Sequence, residues 1–296
     1  MSGHFSGQGC NLRFSIVTPV YNGGDQLRRC VGSVRGQRDV SVQHLVQDGG
    51  SRDGTVEWLE TQTDLEWNSA PDEGMYDAIS RGWVRATGDI LSWLNADEQY
   101  LPGTLANVAR AFAADPGLDM VCGNVIVVDH DGNPLAARRE LPLRSFYIRN
   151  TFLNVYSCTM FFRRSLYDLG RLRFDTTLRY AADMDLILSL LAGGISVRHY
   201  SDYLALFGAH VSNMSLDPAM SRETRLVQKR FRSLPGSMLR RIVQSTRWLE
   251  RLCRGHYRSV HVSYAYARDE VPNYRGIDAV RLGGRFDLRR YAAKQI

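Results

Sequence analysis

The chain has 296 residues, 44% hydrophobic and 23% charged, enough for one large α/β domain with an appendage or for two modest domains. Its net charge of +6 rests almost wholly on arginine, Lys229 and Lys294 being the two lysines, so it attracts anions such as phosphates, nucleic acid or acidic lipid. No apolar run approaches the roughly 20 residues of a membrane-spanning helix, the polar stretch Met1–Arg13 lacks a signal-peptide core, and Cys10, Cys30, Cys122, Cys158 and Cys253 show neither zinc spacing nor a disulfide framework, so a cytoplasmic protein is expected.

Phe14–Val20 is apolar and β-branched, the pattern of a buried strand, and Tyr21-Asn22-Gly23-Gly24 ends it. A helix is expected over Asp25–Val34, a second strand over Val42–Gln47, and a turn at Asp48-Gly49-Gly50-Ser51. Asp53 reads as the cap of a helix running through Trp58. A short strand follows near Leu65–Asn68, then helical spacing of Met75, Ile79, Trp83 and Ala86, then a strand over Asp89–Leu94 ended by Asn95-Ala96-Asp97-Glu98. This alternation predicts a parallel sheet with right-handed crossovers. Ligands of such sheets bind at the carboxyl ends of strands, so Asn22, Asp48 and Asp97 are expected to converge on one crevice.

The second half reads differently. Met120–Asp129 and Pro134–Arg138 flank Asp131-Gly132 as a hairpin. Ser157–Arg163 reads as a strand, Asp183–Ala192 as an amphipathic helix and Ser196–Tyr200 as a short strand. From Asp217 the chain turns helical and basic, with Pro235-Gly236 dividing two helices. The tyrosine- and arginine-rich stretch from Tyr257 carries no assignable pattern.

Four clusters carry chemistry: Thr18-Pro19-Val20-Tyr21-Asn22, then Gln47 through Thr55, then Pro71-Asp72-Glu73-Gly74-Met75-Tyr76-Asp77-Ala78, and Leu94-Asn95-Ala96-Asp97-Glu98. In this order they resemble the family-2 glycosyltransferases of GT-A fold, most nearly bacterial members that build surface polysaccharides, over about residues 14 to 212. The resemblance implies an α/β GT-A domain, a central, mostly parallel sheet flanked by helices. That domain spans 14–215, with a nucleotide-binding half at 14–98 and an acceptor half at 99–215. A polar tail at 1–13 precedes it, and a basic helical extension at 216–296 follows.

The resemblance also implies roles. Thr18, Pro19, Tyr21 and Asn22 would hold the nucleotide base and ribose, where a plain strand-to-helix turn is the alternative. Asp48 would accept the imide N–H of uracil, which points to a uridine donor; Ser51 and Asp53 would cap the turn. Asp72 and Arg81 would line the donor site at the start of a glycine-led helix, although relatives often carry asparagine in place of Ser80 and lysine in place of Arg81. Asn95-Ala96-Asp97 occupies the place of the family's Asp-x-Asp metal motif. Asp97 would bind Mn2+ or Mg2+, which suit carboxylate and diphosphate oxygens, with Asn95 and Ala96 against ribose or metal-bound water. His210, in Gly208-Ala209-His210-Val211-Ser212, is a candidate further metal ligand or plain polar surface.

Asp183, in Tyr180-Ala181-Ala182-Asp183-Met184-Asp185, aligns with the family's base that deprotonates the acceptor hydroxyl during inverting displacement; Asp185 is its rival and helix capping the bland alternative. The partners implied are a nucleotide-sugar donor and a glycan or lipid-linked acceptor. The basic helices Arg222–Arg254 either pack on the main domain or rest on acidic lipid as a peripheral contact. An inactive nucleotide-sugar-binding protein of the same fold is an alternative. An NAD-dependent oxidoreductase is disfavoured because the first turn is not Gly-x-Gly-x-x-Gly. Nucleic acid is disfavoured because no recognition motif accompanies the arginines.

Overall fold

The computed structural model describes residues 12–211 and 213–295, so most of the expected tail at 1–13, and Ser212, lie outside the described residues. β1 (Arg13–Val20), α1 (Gly24–Arg35), β2 (Ser41–Asp48), α2 (Thr55–Glu60), β3 (Glu66–Ser69), α3 (Met75–Val84) and β4 (Ile90–Trp93) follow as the expected alternation. β1 is buried on both faces from Phe14 onward, the mark of a central strand covered by helices. β5 (Gln99–Tyr100), α4 (Thr104–Ala114), β6 (Met120–Val128), β7 (Pro134–Arg138), α5 (Ser145–Asn150), β8 (Phe161–Arg163), α6 (Ser165–Asp168), α7 (Ala182–Ala192) and β9 (Val197–Gly208) complete the main body.

Among the described residues nine strands form one sheet in the order β3-β2-β1-β4-β8-β6-β9-β5, with β7 beside β6. The β1–β2, β1–β4 and β2–β3 ladders are parallel. In the later half only β6–β9 is parallel, so the mostly parallel sheet expected is confined to the first half. The chain leaves β1 toward β2 on one side and returns with β4 on the other. That reversal opens a crevice beyond the carboxyl ends of β1 and β4. Register aligns Val20 with Asp48 and Asp48 with Ser69, and Leu94 N donates to Val17 O at 2.9 Å. The turns after four strands therefore stand in a row.

Two observations correct the sequence reading of single elements. Ser157–Thr159 is a 3-10 turn and the strand begins only at Phe161. β9 runs on to Gly208 because its ladder with β6 continues through register shifts near Asn124. The basic extension holds α8 (Pro218–Arg230) and α9 (Ser237–Cys253), then a hairpin of β10 (Val260–Ala267) and β11 (Tyr274–Leu282), then α10 (Leu288–Ala292). The expectation of a helical extension over 216–296 is thus corrected beyond Cys253. Val262, Tyr264 and Tyr266 alternate inward along β10 and pack on Ile126, Val128, Ala137 and Leu206, covering apolar sheet surface that a helix of this composition would not match. No helix among the described residues is long and apolar enough to cross a membrane.

Candidate active site

Two loops are laced together at the ends of β1 and β2. Asn22 takes a left-handed conformation (φ 54°), its N–H donates to Ser51 Oγ at 2.7 Å, and its Oδ1 accepts Arg52 N–H at 2.9 Å. Thr55 Oγ1 accepts the Gly23 and Gly24 N–H groups, each at 3.2 Å. Asp53 Oδ1 accepts Thr55 N–H at 3.1 Å, but Gly54 (φ 92°) holds the N-cap position of α2 with no side-chain cap bond, which corrects the expectation that Asp53 caps that helix. Asp48 is fully buried. Its Oδ2 accepts Gly50 N–H (2.9 Å), Ser51 N–H (3.0 Å) and the Ser69 hydroxyl (2.6 Å), and its Oδ1 accepts the Ser51 hydroxyl. Asp48 therefore also does the turn-closing assigned to Ser51, with three bonds on Oδ2 and one on Oδ1. Tyr21 stands exposed beside it. Thr18 does not join this set: it is fully buried, with its hydroxyl 2.9 Å from His44 Nε2. Pro19 is likewise buried within the strand.

The third cluster closes the far side. A Cβ on Gly49 would meet Asp72 Oδ2 at 2.8 Å, so this glycine lets the Asp72 carboxylate lie against the turn after β2. Asp72 Oδ1 accepts Gly74 N–H at 2.9 Å, and Gly74 starts α3 with φ 122°, a conformation other residues rarely adopt. Burial raises the Asp72 carboxyl above its ordinary value, helped by the nearby Asp77 and Asp48 charges and opposed by the Gly74 N–H and Arg81. Arg81 is engaged from outside, donating to Pro71 O at 2.9 Å and pairing with Asp77 at 2.7 Å.

On the β4 side, Asn95 N–H donates to Glu98 Oε2 (2.9 Å) and the Ser157 hydroxyl donates to Glu98 Oε1 (2.6 Å). Glu98 is fully buried, and burial, with the adjacent Asp97 charge second, pushes its carboxyl up to about 8. Glu98 therefore closes the turn from within while Asp97 faces outward. Asp97 Oδ2 lies 2.7 Å from His210 Nε2, across 113 positions of sequence. The approach depends on Gly208, where a Cβ would stand 2.6 Å from the Asp97 carbonyl oxygen. Asn213 fixes the same turn, accepting His210 N–H at 2.7 Å and donating to Gly208 O at 3.1 Å. Asn95 Nδ2 donates to Ser157 Oγ at 3.3 Å, while its buried Oδ1 has no hydrogen-bond partner. Ala96, Asp97 and His210 share a cavity of about 20 Å³, room for one water or one ion. Among the described residues no three His, Cys, Asp or Glu side chains gather as a ready cage, so a cation here would draw its remaining ligands from solvent or substrate.

Asp183 lies in the first turn of α7, with Met184 N–H donating to its Oδ1 at 2.7 Å. Burial pushes its carboxyl up to about 6, against the stabilising Met184 N–H and Tyr76 hydroxyl. Tyr76 follows Gly74 by two positions, so the Asp72–Gly74 turn reaches Asp183 through one buried ring. The loop before α7 is held by α8. Glu223 accepts the N–H groups of Arg179 (3.0 Å), Tyr180 (2.6 Å) and Ala181 (3.0 Å), and the Tyr180 hydroxyl donates to Asp217 at 2.8 Å. Asp185, the rival base, is bound by Arg230 Nη1 at 2.7 Å. Ser157 and Glu223 were not singled out in the sequence, and Tyr76 was named there only within the third cluster, without its link to Asp183. Their partners lie far along the chain, and no spacing signals them.

Residues 15–170, more than half of the chain, match the family described as Glycosyl transferase family 2. A PGL/p-HBAD biosynthesis glycosyltransferase of Mycobacterium bovis (strain BCG / Pasteur 1173P2) is 34% identical over 120 residues, 38% of this chain and 47% of that protein. The chain spans under half the length of the first curated relatives it matches. Among solved structures, Staphylococcus aureus TarS 1–349 in complex with UDP-GlcNAc aligns with a TM-score of 0.60 at 15% identity, over 82% of this chain and 73% of that one. The mannosyltransferase PcManGT from Pyrobaculum calidifontis, in complex with GDP-Man and Mn2+, aligns with a TM-score of 0.56 at 18% identity, over 81% and 70%. These likenesses show that the fold is of the GT-A type.

Proposed function

The chain belongs to glycosyl transferase family 2, and on that premise we propose that it transfers a sugar, with inversion, from a nucleotide diphosphate donor to a hydroxyl of a glycan or lipid-linked acceptor. The observation that carries this reading is the Asp97–His210 pair beside the unpartnered Asn95 Oδ1 and a cavity of ion size, at the crevice where strand order reverses. Asp97 Oδ2 and His210 Nε2, hydrogen-bonded to each other at 2.7 Å, would exchange that bond for shared ligation of a single Mn2+ or Mg2+ ion. Such a cation, when bound, offsets charge gathering on the departing diphosphate. Asp97 and His210 would hold it, with Asn95 Oδ1 turned toward its water or the ribose.

The base and ribose would lie against Tyr21, Asn22 and the Asp48 turn, with Asp72 on the far wall. A uridine donor is the preferred reading of Asp48, whose Oδ1 retains accepting capacity beside its bond from Ser51. The TarS complex with UDP-GlcNAc and the PcManGT complex with GDP-Man support a nucleotide-sugar donor in this fold. Asp183, with a carboxyl near 6, would accept the proton of the acceptor hydroxyl as the new bond forms, a task suited to a base poised close to neutral pH. Asp185 is less suited, being occupied by Arg230.

We also read α9 as a contact for acidic lipid on the cytoplasmic side. Met238, Leu239, Ile242, Leu249 and Leu252 are exposed along it, and Arg240, Arg241 and Arg254 accompany them. Thermal unfolding tests the donor class. UDP with Mn2+ is expected to raise the melting temperature, and NAD or an oligonucleotide is not. Protection by NAD alone would overturn the transferase reading.

A further inference from the structure

A second cavity, of about 820 Å³, opens between α8, α9 and the C-terminal segment. Arg138, Arg225, Arg247, Arg251 and Arg289 line it. Two carboxylates face these five cations. Asp287 is in the wall, and Glu140 beneath the floor binds Arg138 at 2.7 Å and Arg251 at 2.5 Å. Arg247 is only 2% exposed. Its Nη1 reaches Thr151 Oγ1 (2.7 Å) and Phe152 O (3.2 Å), but its Nη2 stays 3.9 Å from Glu140, and Nε and Nη2 hydrogen-bond nothing. A buried guanidinium with two unbonded donors is costly, a cost that its stacking on the Phe152 ring (3.8 Å) and the Glu140 charge offset only in part. Burial lowers its pKa to about 10, with Arg251 and Arg138 adding to the fall and Glu140 opposing it, as expected of a guanidinium held out of water.

The cavity is linked to the loop that precedes the base. Ser215 and Leu216 line it, and the next residue, Asp217, receives the Tyr180 hydroxyl three positions before Asp183. Trp248, Phe152 and Tyr257 supply aromatic wall, and Thr224 and Gln228 supply hydrogen-bonding groups, a lining suited to an ester rather than to a bare ion. Guanidinium forks match phosphate oxygens in geometry and charge.

We propose that this cavity seats a phosphate or diphosphate ester carried by the acceptor. The inference deepens the transferase reading, on which the word acceptor rests. Phosphate binding itself is measured with neither donor nor metal, so the two can fail separately.

Trp248 serves as the reporter. In EDTA, the full chain is titrated with inorganic pyrophosphate, then with phosphatidylcholine vesicles with and without phosphatidic acid, and Trp248→Phe identifies the signal. A saturable fluorescence change is expected, weakened about tenfold in the Arg225→Ala/Arg289→Ala double variant at unaltered melting temperature. Saturation by pyrophosphate and by phosphatidic-acid vesicles alike supports a lipid-borne phosphate; saturation by pyrophosphate alone supports a soluble phosphorylated acceptor. No saturable change, or one indifferent to the arginine substitutions, overturns the proposal. Phosphate binding in a chain that transfers no sugar would sink the transferase reading and leave the cavity as an anion site.

Discussion

Asp183 sits where burial and the proposed proton-accepting task meet. Its folded value near 6 lies above the ordinary 3.8, so the folded chain favours the protonated form. The base must be ionised to act, so kcat/KM is expected to rise with pH along an acid limb centred near 6 and to level above it. The stability consequence has the opposite sign. Between about pH 4 and 6 the folded chain holds a proton that the unfolded chain has released, so ionising Asp183 costs stability as pH rises, and the whole cost is present above 6. Asp183→Asn is therefore expected to abolish turnover yet raise stability at pH 8 by about 3 kcal/mol, with no gain at pH 3. An active Asp183→Asn variant would remove the base assignment. Asp48, by contrast, shows what one residue's letter conceals. Its place after an apolar strand was legible, but the four bonds that turn its carboxylate inward come from neighbours whose orientation only the folded loop sets.

At the scale of elements, the loop before α7 depends on α8. One carboxylate, Glu223, receives three consecutive amide protons just ahead of Asp183. Glu223→Gln keeps the shape but offers one oxygen in place of two and no charge. We expect kcat to fall about tenfold and the melting temperature to drop by a few degrees while the donor KM holds, since each hydrogen bond to a charged group contributes roughly 1.5–3 kcal/mol. A parallel rise in donor KM, or unchanged kcat, would show that Glu223 only braces the fold.

Nothing in the sequence pairs Glu223 with Ala181, because a helix among arginines offers no pattern for a distant backbone. β1 and β6 were legible for the converse reason: continuous burial makes them largely apolar and β-branched. β9 was read short because exposed Ser201 and Asp202 interrupt its apolar run while the ladder to β6 persists. The period-two alternation of β10 is present in Val262, Tyr264 and Tyr266, but histidine, serine and the dense arginines around it mask the signal.

For the whole molecule, the first-half topology and the crevice follow from one sequence feature, polar turns placed after apolar strands. The C-terminal part follows from packing instead. α9 turns Val243, Arg247 and Arg251 inward and sets its larger aliphatic side chains outward, the reverse of an ordinary surface helix. Flotation with vesicles tests the lipid reading: association with anionic vesicles at low salt is expected, falling as salt screens the arginines, and reduced by Ile242→Asp with Leu249→Asp. No association at low salt would refute it.

The inside-out helix has a consequence for handling as well. In dilute buffer, with no bilayer to receive it, that greasy ridge must find other company, and the readiest is the same ridge on a neighbouring copy. Preparations are then expected to grow turbid or to sediment as clusters, and a mild detergent is expected to disperse them by standing in for the missing lipid.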